Sequence, residues 1–238
     1  MDRDELGAWL RLLETPGLGR ESARRLLAAF GSPQAVIAAP TAARREVVGP
    51  SQAAALDTYP DKLDPLIDAT FAWLHADTPE PHAVITLGDP RYPPALLESP
   101  DPPLLLYAQG RFELLQAASI AVVGSRNPTP QGLDSARAFA SHLSHAGLTV
   151  VSGLALGIDA AAHSGGLEGA ASTVAVVGTG LDIVYPRRNL ALAHRIAGKG
   201  LIVSEYSLGT PSMAQNFPRR NRIIAGLAGG TLVVEAAL

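Results

Sequence analysis

Ser119-Ile120-Ala121-Val122-Val123-Gly124-Ser125-Arg126 is the stretch that decides the fold. Its apolar run is too short for a stable helix. It is apolar at successive positions, not at alternate ones. That pattern suits a strand buried on both faces of a parallel sheet. Four further runs share it: Leu148-Thr149-Val150-Val151, Thr173-Val174-Ala175-Val176-Val177, Gly200-Leu201-Ile202-Val203 and Thr231-Leu232-Val233-Val234. Helical patterns over 131–146, 156–169 and 189–198 separate them. Strand alternating with helix predicts βαβ units and a doubly wound, mostly parallel sheet.

Moving toward the N-terminus, the pattern changes. Ala83-Val84-Ile85-Thr86 and Leu104-Leu105-Leu106-Tyr107 flank a stretch rich in proline, and read as edge strands joined by ordered loops. Thr78-Pro79-Glu80-Pro81 reads as a linker. Before it, apolar residues recur at helical spacing over 4–14 and 20–30, with shorter helical stretches near 33–39, 50–57 and 63–76. Thr15-Pro16-Gly17-Leu18-Gly19 breaks the first two helices apart. The expected division is a small all-α domain over 1–78 and an α/β domain over 79–238.

Composition narrows the function. Hydrophobic residues make up 47% of the chain, enough for a packed core. The absence of cysteine removes disulfides, thiolate nucleophiles and cysteine zinc sites. The acidic start Met1-Asp2-Arg3-Asp4-Glu5 is unlike a secretory signal, and no run approaches the ~20 apolar residues of a membrane span. A cytoplasmic protein is expected. Its net charge of −3 is unevenly spread, because residues 1–119 carry 10 Lys+Arg against 16 Asp+Glu and residues 120–238 carry 9 against 6. From Arg187 to Arg222 there are six arginines, one lysine and a single acid, Glu205. Positive charge concentrated in this way serves an anionic partner even when the whole protein is acidic.

In an open parallel sheet, ligands sit beyond the carboxyl ends of the strands. Three such ends carry glycine: Gly124-Ser125-Arg126, Ser152-Gly153-Leu154 and Gly178-Thr179-Gly180. Arg126 follows the first; Arg187 and Arg188 follow the third. Glycine lets backbone N–H groups approach an anion, and arginine offers a planar fork to phosphate oxygens. The set reads as a phosphate-binding rim, although any one glycine can equally be turn geometry. A dinucleotide fits poorly. Gly124-Ser125-Arg126-Asn127-Pro128 is not G-x-G-x-x-G, and the second strand ends without the acid that holds a ribose. An extended phosphodiester chain, met by repeated cationic contacts, suits the rim better.

Asn216-Phe217-Pro218-Arg219-Arg220-Asn221-Arg222 adds an aromatic, an amide and three arginines. It reads either as a contact for backbone and bases or as a solvated loop before a helix. Candidates for covalent chemistry are few. His142 and His145 lack an acidic partner at metal-ligand spacing, His163 follows Asp159 by four residues as in a helical pair, Ser164 lacks a nucleophile elbow, and Glu235 ends the last strand as a potential site acid. No catalytic residue, metal or cofactor is expected.

Taken together, these motifs resemble the DNA-processing protein A (DprA/Smf) family. The matching stretches are Tyr92-Pro93-Pro94, Asp101-Pro102-Pro103-Leu104-Leu105-Leu106-Tyr107, Val122-Val123-Gly124-Ser125-Arg126, Ser152-Gly153-Leu154-Ala155-Leu156-Gly157-Ile158-Asp159, Val177-Gly178-Thr179-Gly180-Leu181-Asp182, Tyr185-Pro186 and Phe217-Pro218-Arg219-Arg220-Asn221-Arg222-Ile223-Ile224. The resemblance covers about residues 83–238, and Pro16-Gly17-Leu18-Gly19 is similar to the hairpin of a SAM-like, helix-hairpin-helix-like domain. It implies an extended Rossmann-like fold and a non-enzymatic protein of natural transformation that binds incoming single-stranded DNA and helps load the RecA recombinase. It implies a DNA phosphate on Gly124-Ser125-Arg126, a basic contact at Arg187, and Arg219, Arg220, Asn221 and Arg222 in the same pocket. Gly153, Gly178, Arg188 and Phe217 complete the expected site. The family pattern runs on past Val234-Glu235-Ala236, and its homodimer contacts lie largely beyond, so the sequence reads as a piece lacking the C-terminal part of the fold. The competing expectation is a nucleotide phosphoribohydrolase of the lysine-decarboxylase-like, cytokinin-activating type, whose P-G-G-x-G-T-x-x-E signature Ala228-Gly229-Gly230-Thr231-Leu232-Val233-Val234-Glu235 only partly matches.

Overall fold

The structure is a computed structural model and describes residues 1–236. It divides into two compact units, one of Met1–Ala76 with Pro103–Leu105, the other of Asp77–Pro102 with Leu106 onward.

The first unit is helical: α1 (Arg3–Glu14), α2 (Arg20–Phe30), α3 (Pro33–Ala38), α4 (Thr41–Arg45), α5 (Pro50–Ala55) and α6 (Leu63–Leu74). Asp2 caps α1 by accepting from the Glu5 N–H at 2.8 Å, and Gly31 ends α2 in the left-handed region at φ 84°. Leu6, Leu10, Leu12, Ala23, Leu26 and Val36 form its buried interior. The short α4 has no apolar periodicity to announce it. It is held by Arg44, which is buried and ion-paired to Asp57.

The second unit is built on seven strands: β1 (His82–Thr86), β2 (Leu105–Gly110), β3 (Ser119–Gly124), β4 (Thr149–Ser152), β5 (Thr173–Val176), β6 (Leu201–Ser204) and β7 (Thr231–Val234). Their spatial order is β1-β2-β6-β5-β4-β3-β7. Strands β3 to β7 are parallel where they pair, and β2 runs antiparallel to β6. The chain steps from β3 through β4 and β5 to β6. It then crosses back to place β7 on the far side of β3. The switch point therefore lies between β3 and β7, where a doubly wound sheet opens its binding crevice.

Helices cover both faces. Ala140 of α8 (Pro130–His145) and Ala162 of α9 (Ile158–Gly166) pack with Val122 and Val150, and Leu192, Ala193 and Ile196 of α10 (Leu190–Lys199) pack with Ala175 and Ile202. On the opposite face, Ile223, Ile224 and Leu227 of α11 (Asn216–Leu227) and Leu96 of α7 (Pro94–Leu97) pack on Ala121, Val151, Val174, Val176 and Val203. Neighbouring residues of one strand thus enter different cores, which is why these runs are apolar throughout. The fold is α/β and Rossmann-like.

One difference bears on function. Helix α11 starts at Asn216, so the basic stretch is helical, not a loop. Pro218 falls in the first turn, where its missing N–H breaks no bond. Among the described residues no helix is long and apolar enough to cross a membrane.

Candidate nucleic-acid interface

Beyond the end of β3, Arg126 is exposed, and its guanidinium lies 5.7 Å from the centre of the Phe217 ring. Phe217 in turn lies 5.4 Å from the Tyr185 ring, with the planes tilted by 30°. Gly178, at the end of β5, makes room for this stack: a methyl group there would come within 3.2 Å of the Phe217 ring. Arg187 and Arg188 are exposed on the 3-10 turn Arg187–Asn189, and Arg219 is exposed near the start of α11. Loops after three strands thus present four solvated guanidiniums and an aromatic ladder on one rim.

Several of the backbone N–H groups expected to face an anion are already paired within the chain. The Ser125 N–H donates to the Glu235 carbonyl at 3.0 Å. The Gly153 and Ala155 N–H groups donate to one oxygen of the Asp159 carboxylate, at 3.1 and 3.3 Å. The Leu154 N–H donates to His163 Nε2 at 3.2 Å. The loop after β4 therefore turns its donors inward, and Gly153 offers none to a phosphate.

This inward arrangement holds Leu154 at φ 57°, a costly conformation for a leucine. Its carbonyl accepts from the Asn189 side-chain amide at 2.9 Å, which also reaches the Ala155 carbonyl at 3.1 Å. Asn189 so ties the turn bearing Arg187 and Arg188 to the loop after β4. His163 is fully buried, and burial first, then the charge of Arg220, lowers its pKa to about 3. Because Nε2 accepts, Nδ1 carries the proton and donates to Thr173 Oγ1 at 2.7 Å; that hydroxyl donates to the Val150 carbonyl. Burial raises the Asp159 pKa, opposed by the charge of Arg220 and the N–H groups it accepts from. Asp159 and His163 are thus not a helical pair; each holds a separate part of the loop.

The three arginines of α11 have three different fates. A helix turns about 100° per residue, so neighbours in sequence leave on different faces. Arg219 faces solvent. Arg220 is buried, and it donates from Nη1 to the carbonyls of Gly153 and Val176 and from Nε to Asn221 Oδ1. Burial lowers its pKa, which the neighbouring Asp159 opposes. Arg220 braces α11 against the ends of β4 and β5, and Gly153 lacks a side chain because the guanidinium occupies that space. Arg222 pairs with Glu205 and, through Nε at 3.2 Å, with Asp101. Arg220 and Arg222 accordingly leave the set of arginines open to a phosphate.

Glu235 is not a free site acid. Its carboxylate accepts from the Thr129 N–H and hydroxyl, both at 2.8 Å, while Thr129 caps α8. Ser164 donates back to the Ala160 carbonyl at 2.9 Å, as helical serines do. Tyr185 is the rim aromatic that the motif reading left out of the expected site. The available signal was an exposed aromatic directly before Pro-Arg-Arg.

Beside Arg126, at the switch point, lies a cleft of about 270 Å³. Val123, Ala155, Ile224 and Ala225 give it apolar walls. Asp159 and Arg220, both buried, line it together with the exposed Asn221.

Fold and site together define a Rossmann-like protein with an arginine-rich rim at its strand ends. The model of the DNA recombination-mediator protein A family matches residues 83–238, and that of the DprA-like N-terminal HHH domain matches residues 3–61. The chain belongs to the DNA recombination-mediator protein A family. It is 42% identical to Protein Smf of Escherichia coli over 173 residues, 72% of this chain and 46% of that protein. It is 45% identical to the DNA processing protein DprA of Streptococcus pneumoniae over 150 residues, 63% of this chain and 53% of that protein. The chain thus spans about half the length of these curated relatives. The crystal structure of DprA from Streptococcus pneumoniae superposes with a TM-score of 0.80 at 32% identity, covering 98% of this chain and 78% of that one. A structure of DNA processing protein A from Helicobacter pylori, described by its single-stranded DNA binding mode, superposes with a TM-score of 0.60 at 31% identity, covering 66% and 70%.

Proposed function

We propose that this chain is a DNA-processing protein of transformation that binds single-stranded DNA without covalent chemistry, holding the phosphate backbone with arginine side chains. The observation that carries the reading is the exposed rim of Arg126, Arg187, Arg188 and Arg219 around the Phe217–Tyr185 ladder. Guanidiniums take phosphates without regard to sequence, and aromatic faces take unpaired bases. The relatives' names and the binding mode described for the Helicobacter pylori protein support it. Protection of incoming strands, delivery to a RecA recombinase, homodimerisation of the whole protein and a cytoplasmic location follow from the family alone and belong to the same proposal.

Titration of a labelled oligothymidine at 50 and 200 mM salt tests the reading. Four phosphate contacts on a single strand predict a loss of roughly 50-fold in affinity. Competition should favour unlabelled single strands over duplex, because a stiff duplex cannot follow a compact rim. Salt-independent affinity, or equal displacement by both competitors, overturns it.

A further inference from the structure

We infer that the loop after β4, Gly153-Leu154-Ala155, is the hub that sets the geometry of the rim, and that Asn189 is the positioning residue through which it fixes Arg187 and Arg188. The inference rests on the single-strand reading above and deepens it, because it names groups that govern binding without meeting the strand. Every backbone polar group of these three residues is claimed from elsewhere in the chain. The N–H groups of Gly153 and Ala155 go to Asp159 and that of Leu154 goes to His163, both on α9. The Gly153 carbonyl accepts from Arg220 of α11. The Leu154 and Ala155 carbonyls accept from Asn189 Nδ2 at 2.9 and 3.1 Å. The donors thus face a helix of the core, and the acceptors face the two elements that carry the rim. Helix α11 bears Phe217 and Arg219, and the turn Arg187–Asn189 bears the other two arginines.

Asn189 is built for this tie. In an extended strand successive carbonyls point to opposite edges. The left-handed turn at Leu154, with φ 57°, brings two of them within reach of one nitrogen. Such a conformation persists where the surroundings over-determine it. Two carbonyls need two protons from one planar group, which a carboxamide supplies and a carboxylate does not. The Asn189 side chain is buried, so water does not compete for these bonds. Its backbone N–H also closes the turn, donating to the Pro186 carbonyl at 2.9 Å. Arg187 and Arg188 are exposed, and Asn189 holds the backbone beneath them. Without the tie, both long side chains and their turn would have to be ordered as the strand binds. Arg219 is held separately, through the bonds of Arg220, and does not depend on Asn189.

The test is a double-mutant cycle on affinity for an oligothymidine. In the wild-type background Asn189→Ala should weaken binding roughly tenfold, the scale of ordering two long side chains on a freed turn. Both guanidiniums remain charged, so the salt slope should stay close to that of the wild type. In an Arg187→Ala/Arg188→Ala background the same substitution should cost less than about twofold. A merely structural loss would weaken both backgrounds alike. That result, or undiminished affinity of Asn189→Ala in the wild-type background, overturns the inference. Asn189→Ser keeps one donor and gives the same comparison where the alanine variant folds poorly. Limited trypsin digestion reads the tie without DNA. Cleavage after Arg187 and Arg188 should quicken in Asn189→Ala relative to cleavage after the exposed Arg25 of α2, and an unchanged ratio counts against the tie. If the Arg187→Ala/Arg188→Ala chain binds as the wild type does, those arginines lie off the strand. The rim reading then fails, and the trypsin ratio still decides the tie.

Discussion

Arg126 stands over the Phe217 ring, with its guanidinium 5.7 Å from the ring centre. These residues are 91 positions apart in the chain. They meet because β3 ends beside the start of α11. The contact restrains a side chain that is otherwise exposed, so Arg126 has part of its freedom already removed.

Removing this side chain should weaken single-strand binding without disturbing the fold. For Arg126→Ala, binding titrations should show a loss of about 1.5–3 kcal/mol, the cost of charge-assisted contacts. Arg222→Ala should behave in the opposite manner. It takes a cation from the buried Glu205 carboxylate and should destabilise the chain by about 3 kcal/mol in urea melts, with the salt slope of DNA binding intact.

Exposed arginines should report individually. Replacing Arg187, Arg188 or Arg219 by alanine should lower the salt slope by roughly 0.7 each, the counterion share of one contact on a single strand. Arg195, further along α10 and away from the strand ends, is the control and should leave the slope unchanged.

Gly153→Ala should fail through packing, not through lost anion contacts. The new methyl group would collide with the Arg220 guanidinium, whose displacement breaks bonds to the Gly153 and Val176 carbonyls. A loss of about 3 kcal/mol in stability is expected from strain and the buried groups left unpaired. Unfolding in denaturant decides the matter; wild-type stability would show that α11 is not braced there.

His163 makes stability fall on acidification. Its folded pKa is about 3, against the ordinary 6.5. Below pH 6.5 the unfolded chain takes up a proton that the folded chain refuses. Stability from this group is therefore complete above 6.5 and declines as pH falls toward 3, by about 1.4 kcal/mol per unit. From pH 6.5 to 5 the loss is about 2 kcal/mol. Asp159, raised by burial, acts with the opposite sign above its ordinary 3.8, because there the folded state holds the proton more readily. The difference between the wild-type chain and His163→Gln isolates the histidine. It should shrink by that amount between pH 6.5 and 5, and a constant difference would show that His163 does not titrate in this way.

Sequence alone determined the alternation of strand and helix. Burial on both faces forces every position of β4 and β5 to be apolar or small, and short runs of this kind alternating with helical patterns are what a parallel sheet requires. It also located the rim, since residues following parallel strands must gather at one edge of the sheet. It did not predict α4, whose five residues owe their helix to the buried Arg44 and its partner Asp57.

Tertiary structure alone decided what each rim residue does. Arg219, Arg220 and Arg222 are identical in chemistry and adjacent in sequence, yet one is solvated, one braces a helix and one is ion-paired. Helical geometry sends them to different neighbours, and the partners come from 67 positions away at Gly153 and 17 at Glu205. The Gly153 and Ser125 N–H groups that local pattern offers to a phosphate are claimed by Asp159 and by the Glu235 carbonyl. A local motif states which groups are present. Only the packed chain settles which of them remain unpaired, because buried hydrogen-bond donors must find partners wherever the fold supplies them.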